Sequence, residues 1–255
     1  MPAAALLVSH DFTGWRNSAH QVPAPGYKAR VVNPTHDFLR IADQYFAVDR
    51  CEIWGYLGRN GEQWYCRWCI SAQCAERRVQ NTDSDGDSYT ETLAPSLDAN
   101  TLPVVVGHWH ELEGVRIESG PNVEFEYLNP KDQRPIYSLY VLSHEKCIDN
   151  VIHLSNRRGA KFDVNWTGAA VSTGFNEDSF ELKATGAFTH IWFSGEADVE
   201  SENEIRDDEI AAIFSKVLPH SDFIQHPVRI DRIDEDPDDV VVSFETRFTP
   251  SESAC

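Results

Sequence analysis

The chain has 255 residues, of which 41% are hydrophobic and 11% aromatic, and its formal net charge at pH 7 is -19. This content excludes a disordered chain and predicts one large domain or two ordinary ones, while the negative field disfavours nucleic acid and anionic membranes as partners. No apolar run reaches the roughly 18 residues of a membrane span, and residues 1–9 lack the pattern of a secretory signal, so we expect a cytoplasmic protein.

The first part of the chain combines strand patterns with one helical pattern. Residues 27–32 favour a strand, and apolar residues at helical spacing then predict a helix over about 35–46. The apolar stripe of this helix consists of Phe38, Ile41, Ala42, Tyr45 and Phe46. Three further segments, 101–112, 122–128 and 136–143, have the composition of strands.

Residues 52–70 predict a β-hairpin about Asn60 and Gly61, in which residues whose numbers sum to 121 face each other. One face is apolar and is predicted to be core, with Ile53, Gly55, Leu57, Trp64, Cys66, Trp68 and Ile70. The other face is amphipathic and is a candidate ligand-binding surface, with Trp54, Tyr56, Tyr65 and Arg67. We expect the helix at 35–46 to cover this second face in part. If the helix covers Trp64 and Trp68 instead, Trp54 and Tyr56 become the best surface on which to look for a ligand.

The second part of the chain predicts antiparallel strands followed by one clear helix. The segment at 179–193 is predicted to bend at Thr185 and Gly186 into a hairpin, in which His190 faces Glu181. Residues 203–218 predict a helix with acidic residues in its first turn and Pro219 at its end, and a last strand follows at 240–248.

Runs of strands with two main helices, about 35–46 and 203–218, predict an α+β protein with a predominantly antiparallel sheet. A soft boundary falls near residues 148–150. It divides the chain into a β-rich N-terminal domain, 1–149, and an acidic β-rich C-terminal domain with one helix, 150–255. The alternative is one continuous domain.

The segment 107–114 contains the best candidate for a metal site. In a strand, His108 and His110 would point the same way and form half of a site for a divalent transition metal. Glu113 would complete the site if the strand end twists at Gly114. The alternative is that these histidines make ordinary hydrogen bonds at a half-buried strand end.

Other motifs are weaker. The acidic loop at 81–92 lacks the glutamate at the twelfth position of a calcium-binding EF-hand loop. Cys66 and Cys69 would project from opposite faces of one strand, which excludes a shared zinc ion, so we expect free thiols. A pair of His190 with Glu181 could act as a general base with its orienting carboxylate, but such a pair is more often a solvent-facing cross-strand ion pair that contributes little. The catalytic residues, if any, stay unknown.

Three functions follow from these features. The first is an acidic binding or inhibitory protein that captures a basic protein partner, and it resembles bacterial immunity proteins in charge and size. The second is a metal-dependent enzyme or metal-binding barrel that uses His108 and His110. The third is a small-molecule binding protein with an aromatic pocket. For the first, the candidate partner-binding residues are Glu196, Asp198, Glu200, Glu202, Glu204, Asp207, Asp208, Asp234, Glu235, Asp236, Asp238 and Asp239.

Overall fold

The structure, a computed structural model, describes residues 37–60, 63–82, 86–120, 125–129, 132–171, 179–198, 207–236 and 239–251. The strands of the first half are β1 Phe38–Ile41, β2 Gln44–Asn60, β3 Gln63–Cys74, β4 Arg77–Thr82, β5 Ser88–Leu93, β6 Ser96–Leu102, β7 Arg116–Glu118, β8 Phe125–Asn129, β9 Asp132–Pro135 and β10 Tyr137–Tyr140. Those of the second half are β11 His144–Arg158, β12 Lys161–Ala170, β13 Ser179–Asp198, β14 Phe223–Gln225, β15 Arg229–Asp236 and β16 Asp239–Pro250. The helix α1 spans Asp207–Phe214, and 3₁₀ helices span Trp109–Leu112 and His220–Asp222.

Eight strands form a closed barrel in the order β1, β2, β3, β6, β10, β11, β12 and β13. Strand β13 closes the ring because it pairs antiparallel with β1 over residues 180–183 and then parallel with β2 over residues 187–192. Its last residues leave the ring and pair with β16. Each strand of the ring therefore pairs with a neighbour on both of its sides.

The predicted α+β class with two main helices is wrong, because the segment 35–46 does not form a helix over its described residues. Strand β1 turns at Ala42, which has a φ of 51°, and continues into β2. Leu39 pairs with Leu182 of β13, and both side chains are fully buried. Pairing with a strand about 140 positions away therefore overrides the helical spacing of the apolar residues.

The helix predicted at 203–218 is present but shorter, and Ile210 and Phe214 are buried as expected. The strand predicted at 101–112 is wrong over most of its length, since β6 ends at Leu102 and the chain then forms a 3₁₀ helix at Trp109–Leu112.

The hairpin predicted at Thr185 and Gly186 is also wrong, because β13 runs through these residues without turning. Gly186 lies in the barrel interior against β12, where an added Cβ would come within 2.6 Å of Val164 Cγ2. The glycine therefore permits close packing and not a turn. Glu181 contacts Arg40 and Lys183, and the predicted pairing with His190 does not occur.

The interior of the barrel contains the apolar face predicted for the hairpin at 52–70, and this prediction is confirmed. Its buried members are Ile53, Leu57, Cys66, Trp68 and Ile70. The register differs by two residues, because Asn60 pairs with Gln63 and opposing numbers sum to 123. A shift of two keeps each side chain on its predicted face but changes its partner, so Arg67 lies opposite Tyr56.

The predicted domain boundary between residues 149 and 150 falls within β11, at a bulge between Ile148 and Val151. Asn150 is fully buried there. Its amide nitrogen donates to Ser119 Oγ and to the carbonyl of Cys147, and its Oδ1 accepts from the indole of Trp166. Within the described residues, no helix has the length and apolarity of a membrane span.

Candidate functional site on the outer barrel face

Seven side chains on neighbouring strands form a surface that we call the outer aromatic face. They are Trp54 and Tyr56 of β2, Tyr65 and Arg67 of β3, His190 and Trp192 of β13, and Arg247 of β16. Most of their neighbours in sequence, such as Gly55, Cys66 and Ile191, are buried. Strand alternation therefore turns these seven outward, where six are half-buried and Arg247 is exposed.

Four of the seven lie in one continuous row across four strands. Arg67 lies opposite Tyr56, Tyr56 opposite Trp192, and Trp192 opposite Arg247. With neighbouring strands about 4.8 Å apart, the backbones of the two arginines are about 15 Å apart. The row thus places two aromatic rings between two cations.

Arg67 fixes the tyrosines at one end of the row. Its Nη1 donates to the hydroxyl of Tyr56 at 2.8 Å, and its Nε donates to the hydroxyl of Tyr65 at 2.9 Å. The guanidinium carbon also lies 5.4 Å and 5.2 Å from the centroids of these two rings. Hydrogen bonds and cation–π contacts together hold both rings in one orientation.

His190 lies beside Trp54, with ring centroids 6.1 Å apart and ring planes 11° apart, and its ring meets that of Trp192 edge-on at 5.0 Å. Its Nδ1 is 2.8 Å from the hydroxyl oxygen of Thr189. Burial and, to a lesser degree, the positive charge of Arg247 lower the pKa of His190 to about 4. The imidazole is therefore neutral at pH 7, and its Nε2 is shielded from solvent without a hydrogen-bond partner in the described part of the chain.

At the other end of the row, the guanidinium carbon of Arg247 lies 5.8 Å from the centroid of the Trp192 ring. Among the residues that the structure describes, Arg247 makes no ion pair. On the same side of the sheet, Glu52 is two residues before Trp54 and Glu245 is two residues before Arg247. Each of these carboxylates lies near another arginine: the nitrogen–oxygen distance is 3.7 Å from Glu52 to Arg50 and 3.7 Å from Glu245 to Arg229.

The sequence identified four members of this face and missed His190, Trp192 and Arg247. Alternation along residues 188–193 was visible, but the strand they belong to pairs with β2 in parallel across about 130 positions. That pairing follows from barrel closure, which no local pattern indicates. The false hairpin at Thr185 and Gly186 also assigned His190 to a different neighbour.

The predicted metal residues lie near the 3₁₀ helix Trp109–Leu112. His108 Nδ1 accepts from the backbone N–H of His110, and His108 Nε2 lies 2.5 Å from Asp222 Oδ2. Glu113 accepts from the backbone N–H of Arg157 at 3.0 Å. The rings of His108 and His110 are close, with centroids 4.1 Å apart, because the helical turn and not a strand brings them together.

These contacts describe a cap at one end of the barrel. Both ring nitrogens of His108 contact protein groups, and Trp109, next in sequence, is fully buried against Phe188. In the described parts of the chain, no group of three or more His, Cys, Asp or Glu side chains is placed to hold a metal ion. The contact of His108 with Asp222 connects the loop before Trp109 to the 3₁₀ helix His220–Asp222. The metal site stays a prediction.

The residues predicted to bind a basic partner are spread over several elements. Asp207 and Asp208 begin α1. Strand β13 carries Glu196 and Asp198, β15 carries Asp234, Glu235 and Asp236, and β16 begins at Asp239. Glu200, Glu202, Glu204 and Asp238 lie outside the described residues.

Five cysteines are free thiols and buried, in agreement with the sequence: Cys51, Cys66, Cys69, Cys74 and Cys147. Cys66 points into the barrel and Cys69 outward, where its thiol lies 2.8 Å from the carbonyl oxygen of Asn100. Burial raises the pKa of Cys51 and of Cys74 to about 12, so these thiols are protonated and unreactive at pH 7.

The described structure thus assembles the predicted residues Trp54, Tyr56, Tyr65 and Arg67 into the outer aromatic face. The comparisons with models of protein families, with curated proteins and with solved structures each give no match.

Proposed function

We propose that this protein is a binding protein that takes a planar organic molecule on its outer aromatic face. The observation that supports the proposal is the row of Arg67, Tyr56, Trp192 and Arg247 across four adjacent strands. Aromatic rings and guanidinium groups both bind the faces of planar molecules, and stacking on one ring contributes about 1 to 3 kcal/mol.

The face is preorganised, which favours binding. Six of its side chains lie on strands of the closed barrel and Arg247 lies on β16, which pairs with β13; Arg67 holds the two tyrosines through hydrogen bonds. A ligand that stacks on such a surface orders few side chains, and the entropic cost of binding falls accordingly.

Capture of a basic protein by the acidic C-terminal residues stays a prediction. Asp207 and Asp208 are exposed at the start of α1, where the helix dipole also stabilises their charge.

The proposal is tested by titrating the protein with a panel of planar molecules, beginning with indole-3-acetate, and measuring heat by isothermal titration calorimetry. We expect binding of at least one member, with affinity lost when Trp192 is replaced by Ala. The matched control is Tyr89→Ala, since Tyr89 is an aromatic residue of β5 outside the face and 40% exposed. If no member of the panel binds, or both variants weaken binding equally, the proposal is wrong.

A further inference from the structure

We infer that the ligand of the outer aromatic face is a planar aromatic acid, whose anionic group is held by Arg247. This inference rests on the proposed function and adds the chemical class of the ligand. Three features support it: the charges on the face, the contacts that Arg67 and Arg247 already make, and the position of Arg247 beside Trp192.

The outer aromatic face differs from the whole protein in the sign of its charge. The protein carries a net charge of -19, yet the outer aromatic face contains two arginines and no carboxylate. Glu52 and Glu245, the acidic residues nearest along the same sides of β2 and β16, face Arg50 and Arg229. The face is therefore a positive area on a negative molecule, which favours an anionic ligand over a cationic one.

The two arginines of the face have different contacts. Arg67 donates through Nε, Nη1 and Nη2 to the hydroxyls of Tyr56 and Tyr65, so it positions the tyrosines. Arg247 is exposed, and within the described residues no carboxylate pairs with it. A guanidinium without an anionic partner can form two parallel hydrogen bonds with a carboxylate.

Arg247 lies close enough to Trp192 for one ligand to contact both. The guanidinium of Arg247 lies 5.8 Å from the ring of Trp192, and Trp192 in turn meets His190. A flat ligand against Trp192 would place a carboxylate on a short side chain within reach of Arg247. His190, whose pKa burial lowers to about 4, is neutral at pH 7 and does not compete for the acid.

The experiment compares two probes at pH 7, indole-3-acetate and indole-3-acetamide, which share the ring and differ in charge. With the wild-type protein we expect the acetate to bind about tenfold more tightly, as a charge-assisted hydrogen bond is stronger than a neutral one. In Arg247→Gln the two probes should bind with the same affinity. The control is Arg116→Gln, which changes the net charge equally but lies on β7 beside Glu118 and should keep the tenfold ratio.

The outcomes separate this inference from the proposed function. Equal binding of the two probes by the wild-type protein overturns the inference while the proposed function stands. An equal loss of the ratio in Arg247→Gln and Arg116→Gln also overturns it, because the preference would then reflect net charge. Failure of the wild-type protein to bind either probe or any other panel member overturns the proposed function itself. Thermal unfolding of each variant checks that it is folded.

Discussion

Arg67 fixes two of the aromatic residues of the outer aromatic face. Its guanidinium bridges the hydroxyls of Tyr56 and Tyr65 and lies near both of their rings. The planar fork of arginine fits two acceptors at once, whereas a lysine ammonium is a point charge on a flexible stem.

We therefore expect Arg67→Lys to weaken binding of indole-3-acetate about threefold or more, because the tyrosine rings lose their fixed orientation. Stability should fall by about 1 kcal/mol, the usual contribution of one hydrogen bond. Denaturant unfolding and calorimetry measure the two effects. Arg50→Lys, at an exposed arginine of β2, is the control and should change neither quantity.

His190 predicts a pH dependence of stability. Its pKa in the folded state, about 4, is below the ordinary value of 6.5, so the unfolded state binds the proton more readily. The contribution of neutral His190 to the free energy of unfolding is complete above pH 6.5 and is lost as the pH falls from 6.5 towards 4. Since the ring is partly exposed, we expect the loss to be on the order of 1 kcal/mol after solvent screening.

The measurement is the difference in unfolding free energy between the wild-type protein and His190→Gln at pH 7.5, 6 and 5. Taking the difference removes the titration of the many carboxylates. The advantage of the wild-type protein should shrink as the pH falls. A constant difference would show that His190 is not held neutral.

Among the elements, β11 depends on one buried side chain at its bulge. Asn150 has three hydrogen-bond contacts through its side-chain amide, and each partner is itself mostly buried. A bulge leaves backbone and side-chain groups unpaired unless a polar residue satisfies them, and Asn150 does so here.

We expect Asn150→Ala to destabilise the protein by about 2 to 3 kcal/mol, since the indole N–H of Trp166 would remain buried without an acceptor. Trp166→Phe removes that N–H. In a double-mutant cycle, the second substitution should therefore cost less in the Asn150→Ala background than in the wild type. Additive effects would contradict the role given to this hydrogen bond.

Strand β13 depends on Gly186 for its path through the barrel. A Cβ at this position would lie 2.6 Å from Val164 Cγ2 and 3.3 Å from Ile53 Cδ1. We expect Gly186→Ala to destabilise by about 1 to 3 kcal/mol through overpacking, and Val164→Ala to restore part of the loss. Gly120→Ala is the control, because no atom lies within 4 Å of a Cβ there. Thermal or denaturant unfolding compares the variants.

The same elements show which parts of the fold and of the site local sequence patterns can predict. The faces of the hairpin at 52–70 were predictable because alternation in a strand is local, and even a wrong register preserved them. The helix at 35–46 was predicted wrongly because Leu39 and Ile41 are buried by β13 and the rest of the barrel, which lie far away in sequence. Three of the seven residues of the outer aromatic face were missed for the same reason, since His190, Trp192 and Arg247 lie on β13 and β16, far from β2 and β3 in sequence.

At the scale of the whole molecule, the barrel joins strands from both halves of the chain. Strands β1 and β2 pair with β13, so neither the segment 1–149 nor the segment 150–255 contains all the partners of its own strands.

We expect denaturant unfolding to follow one cooperative transition. The loss of any one strand would open the closed barrel and leave the two neighbouring strands without a partner. Tryptophan fluorescence and far-ultraviolet circular dichroism should give coincident curves. Two separated transitions would instead support the division into domains 1–149 and 150–255.

The late position of β13 in the chain bears on synthesis by the ribosome. Arg40 meets its partner Glu181 only after 141 more residues have been made, which takes about 7 to 28 s at 5 to 20 residues per second. During that interval β1 and β2 present open edges that could pair with other nascent chains. The barrel therefore stays open, with strand edges exposed, until β13 has been synthesised.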